Sequence, residues 1–315
     1  MTGVSDNERP ALSIVLPAYN GAALLAKHVP TLRRYLSDLG VSHELIVADD
    51  GSEDDGETAR VASSLGCDYV RNPVNLGKGA AVRRGMLRAS GAYRIFTDCD
   101  VPYELTTIER FLYYLDVKEY HFVAGDRNLP QSRYYAQVPV TRKLASRACS
   151  FIVGRFVATG WFDTQCGIKG FRDHVAEDLF SVARVDRFAF DVELFYIALK
   201  RNYDIKRLPV ELRCQEGSSV SVLRDGLAMV RDLGAIRIHQ LTGHYDPVSP
   251  VILGIDSSPN SAEMRTDRDG RASVRVTNLP PPASAPRACG GGEPGRPARD
   301  SPSEAPEARD DSALR

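Results

Sequence analysis

The sequence predicts a doubly wound α/β domain with a mostly parallel sheet, followed by a tail that lacks the residues of a core. Four short apolar runs, each the length of a buried strand, alternate with four segments of helical spacing. This alternation is typical of a parallel sheet flanked by helices. All of the 11 Phe, 13 Tyr and 1 Trp lie at or before Tyr245, whereas 11 of the 19 prolines follow it.

The predicted strands come in a regular order, and each is followed by polar residues. The strands are Leu12–Leu16, Glu44–Ala48, Tyr93–Thr97 and His121–Gly125. The predicted helices are Leu24–Leu39, Gly56–Leu65, Gly79–Ala89 and Leu105–Val117. Ligands of doubly wound sheets bind beyond the carboxyl ends of the strands, so the polar residues there predict a ligand site at that edge.

Composition divides the 315 residues into three parts. Residues 1–10 are predicted to be a flexible N-terminus, and residues 11–245 to form the α/β domain. Residues 246–315 are rich in Pro, Gly, Ser and Arg. We expect this tail to be disordered, because it cannot bury enough apolar surface to offset the entropy lost on ordering.

Charge and cysteine usage exclude several classes of protein. The 40 Lys+Arg nearly balance the 41 Asp+Glu, which disfavours a nucleic-acid partner. The 6 cysteines contain no CxxC pair, which indicates reduced thiols in a cytosolic setting. The sequence shows no signal peptide and no transmembrane helix. We therefore expect a cytoplasmic protein that is soluble or lies peripherally on a membrane surface.

Two acidic segments follow predicted strands. Asp98 and Asp100 can converge at a turn on one hard divalent ion, Mg2+ or Mn2+, that neutralises a diphosphate. An isolated pair of this kind is more often two solvated turn aspartates. Asp49 and Asp50 could recognise a nucleobase or a ribose, or could form a turn and a helix cap.

A third segment, Asn75–Gly79, precedes a predicted helix. Its backbone N–H groups and Lys78 could face a phosphate. The segment is not a P-loop, and Val82 stands where a dinucleotide-binding motif would have its last glycine. An ATPase or an NAD enzyme is therefore poorly supported.

In their order and spacing, these segments together with Pro17-Ala-Tyr19-Asn20 resemble family 2 of the inverting glycosyltransferases. That family has the GT-A fold, with a Rossmann-like sheet, and uses nucleotide-sugar donors. Phe162–Phe171, Arg187–Leu194 and Glu216–Ser219 are similar to the dolichyl-phosphate β-glucosyltransferase branch, close to the polyprenyl-phosphate mannose synthases. The resemblance covers about Leu12 to Tyr245.

The resemblance implies roles for the matched residues. The donor would be bound by residues that follow the strands: Pro17, Tyr19, Asp49, Asp50, Lys78 and Asp98. Asp98 and Asp100 would also hold Mg2+ or Mn2+, and of the two Asp100 is expected to be the direct ligand. Gln165 would face the sugar or the acceptor. Asp191 and Glu193 occupy an acidic motif near the acceptor, and residues two apart on a helix do not share a face, so we expect one of them to face the site.

The chemistry of the acceptor determines which residues the transfer reaction requires. An alcohol needs a general base, for which Asp191 or Glu193 is the candidate. A phosphate is already ionised near neutral pH and needs cations instead. Arginine suits it, because its planar fork binds two oxygens at once. Arg127 and Arg133 are the preferred pair within a basic group after the fourth strand that also contains Arg142, Lys143 and Arg147.

The segment Val222–Leu241 is predicted to be an amphipathic helix. Such a helix most often packs on a core. It could also lie on an anionic membrane surface and bring a lipid phosphate to the site.

The leading hypothesis is transfer of a hexose, glucose from UDP-glucose in the first instance, to polyprenyl phosphate. A soluble hydroxyl acceptor, such as a secondary metabolite, is the alternative. A sugar nucleotidyltransferase would need a Gly-rich basic loop where Pro17–Asn20 stands. A non-catalytic nucleotide-sugar binding protein is disfavoured by the presence of both acidic motifs.

The composition boundary generates a first prediction. Truncation after Asp256 should leave the melting temperature and the activity unchanged, because the removed residues contain no aromatic side chain. Differential scanning calorimetry of the full and truncated chains measures this. A large fall in melting temperature would contradict the boundary.

Overall fold

The computed structural model describes residues 9–134, 163–213 and 222–246. Four parts of the sequence discussed above therefore lie outside the described residues. They are residues 1–8, the basic residues Arg142, Lys143 and Arg147, the Glu216–Ser219 motif and residues 247–315.

The described residues form nine strands and seven helices. The strands are β1 Leu12–Ala18, β2 His43–Asp49, β3 Asp68–Arg71, β4 Tyr93–Thr97, β5 Phe122–Asp126, β6 Arg133–Tyr134, β7 Ile168–Arg172, β8 Ile205–Pro209 and β9 Glu211–Leu212. The helices are α1 Ala22–Asp38, α2 Glu57–Ser64, α3 Lys78–Arg88, α4 Thr106–Asp116, α5 Asp173–Val182, α6 Phe190–Lys200 and α7 Val222–Leu241. None of these helices is long and apolar enough to cross a membrane.

Seven strands form one sheet in the order β3-β2-β1-β4-β7-β5-β8. All neighbours pair in parallel except β7, which runs antiparallel between β4 and β5. The prediction of a mostly parallel α/β sheet is confirmed. β6 and β9 pair separately beside it.

The sheet separates two apolar layers. Along β1, Ile14 and Leu16 pack into one layer, whereas Val15 packs into the other. The first layer contains the buried faces of α1 and α4, and the second those of α3, α5 and α6. Successive strand side chains point to opposite faces, so the near-continuous apolar runs are those of strands covered on both sides.

The reversed strand β7 determines where the site forms. Ile168, at the start of β7, pairs with Thr97, at the end of β4. Residues 163–167 therefore enter the sheet at the edge where the parallel strands end. This antiparallel insertion places a second-half motif beside the acidic residues that follow β4.

The end of α7 is anchored to the start of α6 through a buried carboxylate. Tyr245 is fully buried, and its hydroxyl donates to Glu193 Oε1 over 2.6 Å. The backbone N–H groups of Arg184 and Val185 each donate to the same carboxylate over 2.8 Å. With Leu233 and Ile236 buried in the second apolar layer, α7 packs on the domain.

Removal of the Tyr245 hydroxyl tests this anchor. Tyr245→Phe should lower the free energy of unfolding by about 1.5–3 kcal/mol, the contribution of a hydrogen bond to a charged group. Urea denaturation measures the change. Tyr196→Phe, a substitution of the tyrosine whose ring packs on Tyr245, is the matched control and should have a smaller effect. Equal effects would contradict the anchoring role.

Candidate active site

Two carboxylates and two lysines meet at the carboxyl edge of the sheet. Lys78, the first residue of α3, forms an ion pair with Asp98, which follows β4. Lys169 of β7 donates to Asp191 Oδ1, in the first turn of α6, over 2.6 Å. We call these four residues the charge cluster. Four separate elements contribute one charge each, and the charges balance.

The two pairs of the charge cluster influence each other. Burial alone would lower the pKa of Lys78, but the Asp98 and Asp191 carboxylates outweigh it, and the pKa is raised. Lys78 therefore stays charged. Burial raises the pKa of Asp191, and the nearby Lys169 and Lys78 only partly offset this effect. Asp191 is consequently a better proton acceptor than an ordinary aspartate.

One oxygen of the Asp191 carboxylate lacks a hydrogen-bond donor within the described part of the chain. Lys169 occupies Oδ1, and no donor within the described part of the chain forms a hydrogen bond to Oδ2. Asp191 keeps 6% of its surface exposed. Glu193, two residues later, is fully buried with its oxygens directed at Tyr245 and at backbone N–H groups. The structure thus brings Asp191, but not Glu193, into the charge cluster.

The turn after β4 presents Asp98 and Asp100 at the same edge. The Val101 N–H donates to the Asp98 carbonyl over 2.9 Å, and Val101 has a φ of 40°. A positive φ is costly for a β-branched residue, and such conformations concentrate at functional sites. Asp98 and Asp100 are both half-buried, so each keeps part of its surface accessible.

Gly167 packs directly against the Asp98 carboxylate. A Cβ atom at Gly167 would lie 2.1 Å from Asp98 Oδ2. The Gly167 N–H donates to the hydroxyl of Tyr103 over 2.9 Å, which holds the loop in place. A larger residue at this position would force the Asp98 carboxylate to move. Sequence reasoning assigned no role to Gly167 or Tyr103, because no local pattern indicates a contact across 64 residues.

The donor set of this turn fits a hard divalent ion. Mg2+ is commonly held by one or two carboxylates, with substrate phosphates supplying further oxygens. Asp98 and Asp100 provide such a pair. Among the described residues no group of three or more His, Cys, Asp and Glu could hold a metal on its own. The residues therefore fit Mg2+ or Mn2+ bound together with a diphosphate.

Asp49 ends β2 with its carboxylate directed at the protein. Oδ1 accepts from the Ser52 N–H over 2.9 Å and from the Ser52 hydroxyl over 2.5 Å. Oδ2 accepts from the Tyr69 hydroxyl and lies 3.3 Å from Arg71 Nε. Asp49 thereby fixes the turn that follows β2.

Asp50 holds the loop that precedes Lys78. Its carboxylate accepts from Asn72 Nδ2 over 2.9 Å, from the Leu76 N–H over 3.0 Å and from the Gly77 N–H over 2.7 Å. Gly77 has a φ of 118°, a region that essentially only glycine adopts. Gly77 therefore allows the loop to bend, and Asp50 holds in place the loop that leads to Lys78.

Pro17 and Tyr19 occupy the end of β1. Pro17 is buried inside the strand, beside Ala48 of β2. Tyr19 is 44% exposed, so its ring is open to solvent at the edge of the sheet. An exposed ring at this position can stack on a planar base.

The two predicted acceptor arginines differ in their surroundings. Arg127 Nε and Nη2 donate to the two oxygens of Asp163 over 2.6 and 2.8 Å. Burial alone would raise the pKa of Asp163, but Arg127 lowers it below its ordinary value. Arg133, on β6, is exposed, and none of the described acidic residues forms an ion pair with it. Arg127 thus holds the segment 163–167, whereas Arg133 faces outward.

Gln165 is the residue of that segment that contacts α7. Its Nε2 atom is 3.7 Å from Met229 Sδ, and the side chain is half-buried. Met229 belongs to α7, so the predicted amphipathic helix borders the site.

Sequence comparisons agree with this arrangement. Residues 13–180 match the model of glycosyl transferase family 2. A Dictyostelium discoideum protein named dolichyl-phosphate beta-glucosyltransferase is 30% identical over 248 residues, which span 74% of this chain and 75% of the relative. A Homo sapiens protein of the same name is 32% identical over 262 residues, or 78% and 80% of the two chains.

Solved structures show the same fold. Glucosyl-3-phosphoglycerate synthase from Mycobacterium tuberculosis, in complex with Mn2+, UDP and glucosyl-3-phosphoglycerate, has a TM-score of 0.54 at 22% identity. The match covers 76% of this chain and 82% of that one. Identity at this level shows the fold alone. The family match and the 32% identity over most of a human relative show more: the chain belongs to glycosyl transferase family 2 and is a glycosyltransferase of the GT-A fold.

Proposed function

We propose that this enzyme transfers glucose from UDP-glucose to a polyprenyl phosphate of the dolichyl type, with inversion at the sugar C1. The observation that carries the proposal is similarity over about three quarters of the chain to proteins named dolichyl-phosphate beta-glucosyltransferase. The charge cluster supports it, because it gathers two acids and two lysines where a diphosphate and an anionic acceptor would meet.

The donor is proposed to bind along the ends of β1, β2 and β4. Tyr19 would stack on the base, with Pro17 behind it, while Asp49 and Asp50 shape the turn and the loop around the nucleoside. Lys78 would exchange its contact with Asp98 for the diphosphate. Asp98 and Asp100 would hold Mg2+ or Mn2+, which when bound neutralises charge on the departing diphosphate. A structure of the Mycobacterium tuberculosis glucosyl-3-phosphoglycerate synthase contains Mn2+ together with UDP-glucose, which supports a metal-dependent nucleotide-sugar donor for this fold.

The acceptor is proposed to lie between Arg133, Gln165 and Asp191. An acceptor oxygen attacks the sugar C1 as the bond from C1 to UDP breaks, and any proton on the phosphate passes to Asp191 Oδ2. Arg133 would hold the phosphate charge. Arg127, with its fork on Asp163, is proposed to position the segment that carries Gln165. Glu193 is proposed to anchor α7 and not to act as the base.

A soluble hydroxyl acceptor is the second candidate, and one observation favours it. The open Oδ2 atom of Asp191 and the raised pKa of this residue suit deprotonation of an alcohol, which a phosphate acceptor needs far less. The two candidates share the donor site and differ only in which residue is indispensable.

We further propose a peripheral position on the cytoplasmic face of a membrane, where a polyprenyl acceptor would be found. Ile238 and Leu241 are 61% and 76% exposed, and Arg237 is exposed beside them on α7. Aliphatic side chains next to an arginine suit the surface of an anionic bilayer.

Product analysis tests the proposed function. The purified chain is incubated with UDP-glucose, GDP-mannose or UDP-N-acetylglucosamine, with and without polyprenyl phosphate and Mn2+, and products are identified by mass spectrometry. The proposal expects a glucosyl product only with UDP-glucose and polyprenyl phosphate. Transfer to a hydroxyl compound but not to the lipid phosphate would replace it with the second candidate. An Asp100→Asn variant controls for contaminating activity.

The contact of Gly167 with Asp98 yields a prediction for donor binding. Gly167→Ala should weaken binding of UDP with Mn2+ by about tenfold or more, because the new methyl group displaces the Asp98 carboxylate and a charged contact is worth about 1.5–3 kcal/mol. Isothermal titration calorimetry measures this. Gly234→Ala, with no atom within 4 Å of its new methyl group, is the control. Unchanged UDP affinity in Gly167→Ala would contradict the placement of Asp98.

The surroundings of the two arginines and of Asp191 yield a prediction for the acceptor. With polyprenyl phosphate, Arg133→Ala should raise the acceptor KM or lower transfer by about tenfold or more, because a charge-assisted hydrogen bond is lost. UDP affinity should stay unchanged. If an alcohol is the acceptor, Asp191→Asn instead should lower kcat by about 10²–10⁴-fold. Undiminished transfer to polyprenyl phosphate by Arg133→Ala would rule out Arg133 as the phosphate ligand.

A further inference from the structure

We propose that Lys169 is the positioning residue of this site, whose ammonium fixes the Asp191 carboxylate beside the segment 163–167. The proposal deepens the proposed function and rests on the part of it in which Asp191 takes part in transfer. Lys169 lies in the middle of β7, paired with Phe96 of β4 and Ala124 of β5, and is 0% exposed. It reaches no solvent and is not placed to touch substrate itself.

The surroundings of the Lys169 ammonium consist of three separate pieces of the site. Nζ donates to the Cys166 carbonyl over 2.7 Å and to Asp191 Oδ1 over 2.6 Å. It also lies 5.3 Å from the centroid of the Phe96 ring, on the strand that ends just before Asp98. One side chain therefore joins the loop before β7, the first turn of α6 and β4.

Stability alone does not account for this lysine. A buried ion pair is often no more stabilising than an apolar pair of the same size, because both charges lose their hydration. The apolar neighbours of Lys169, such as Phe96 and Phe171, would accommodate an aliphatic side chain at this position. An ammonium is needed where a carboxylate has to be kept in one place while its second oxygen stays open. Asp191 meets that description.

Loss of Lys169 would rearrange the charge cluster. Lys78 interacts with both Asp98 and Asp191. Without Lys169, Asp191 would retain Lys78 as its nearest cation and would compete with Asp98 for it. The Cys166 carbonyl would lose its donor at the same time, but Gly167, next in sequence and packed against Asp98, would still be held by the Tyr103 hydroxyl. The defect should therefore appear in transfer, through Asp191, rather than in nucleotide binding.

A double-mutant cycle tests this role. Lys169→Met keeps an unbranched apolar stem without the charge, and Asp191→Asn removes the partner charge. We expect Lys169→Met to lower kcat by about tenfold or more, a part of the roughly 10²–10⁴-fold that a correctly positioned proton acceptor contributes. The UDP affinity and the donor KM should change little. Because Lys169 acts through Asp191, the Lys169→Met/Asp191→Asn variant should be no slower than Asp191→Asn.

Lys206→Met is the matched control, since Lys206 also lies on a strand with its ammonium over tyrosine rings but outside the charge cluster. Its kcat should equal that of the wild type. If Lys169→Met proves unfolded by circular dichroism, the double variant, which buries no unpaired charge, is compared with Asp191→Asn. A further loss of about tenfold in that comparison would overturn the proposal, because it would show an effect independent of Asp191.

A folded Lys169→Met variant with wild-type kcat would also overturn it. The substrate class is read separately, from the product that the wild type forms. The proposed acceptor can thus fail while the cycle, measured on whichever acceptor is used, still supports Lys169.

Discussion

The site depends on keeping four charges of alternating sign together at a largely buried edge of the sheet. None of them could be buried alone, because the loss of hydration of a single charge exceeds what packing returns. Asp98 and Asp191 each have a lysine, and Lys78 interacts with both acids. The four groups come from β4, β7, α3 and α6, so the balance exists only when all four elements are in place. Folding and site assembly are therefore the same event at this edge.

Close backbone contacts fix the relative positions of the residues in the charge cluster. The bend at Gly77 brings its backbone against Asp186 and Arg187, where a Cβ atom would lie 2.6 Å from the Asp186 carbonyl. The segment that carries Lys78 therefore contacts the segment that leads into α6, and the contact lies a few residues from both Lys78 and Asp191. The contact of Gly167 with Asp98 does the same on the β7 side. These glycines leave space for the groups packed against them, the backbone at Asp186 and Arg187 and the carboxylate of Asp98.

The sequence predicted the main parallel strands of the sheet but not the antiparallel strand β7 that inserts between β4 and β5. The runs that became β1, β2, β4 and β5 are predominantly apolar, so their pattern survives without tertiary information. β7 reads Ile168-Lys169-Gly170-Phe171-Arg172 and shows no such run, because its lysine and arginine are satisfied only by distant partners. β3 is half-exposed and gives an equally weak signal. The strand ends were sufficient to predict an acidic edge. The separate roles of the acidic residues at this edge were not predictable, because they depend on which hydrogen-bond donor reaches each carboxylate oxygen in the folded chain.

The first turn of α6 shows how that division is made. Asp191 and Glu193 are two residues apart, so the helix directs them to different sides. Asp191 reaches the charge cluster and keeps an oxygen open, whereas Glu193 is closed off by Tyr245 and two backbone N–H groups. A single turn therefore carries one carboxylate oriented for chemistry and another that secures α7, the helix against which Gln165 rests. Substitution of either carboxylate would disturb transfer, one directly and the other through the position of α7. Activity alone cannot distinguish the two, but their response to a change at Lys169 can. Asp191→Asn leaves the Lys169 ammonium buried without its partner charge, which Lys169→Met would relieve, whereas loss of Glu193 leaves buried N–H groups without an acceptor, which no change at Lys169 restores.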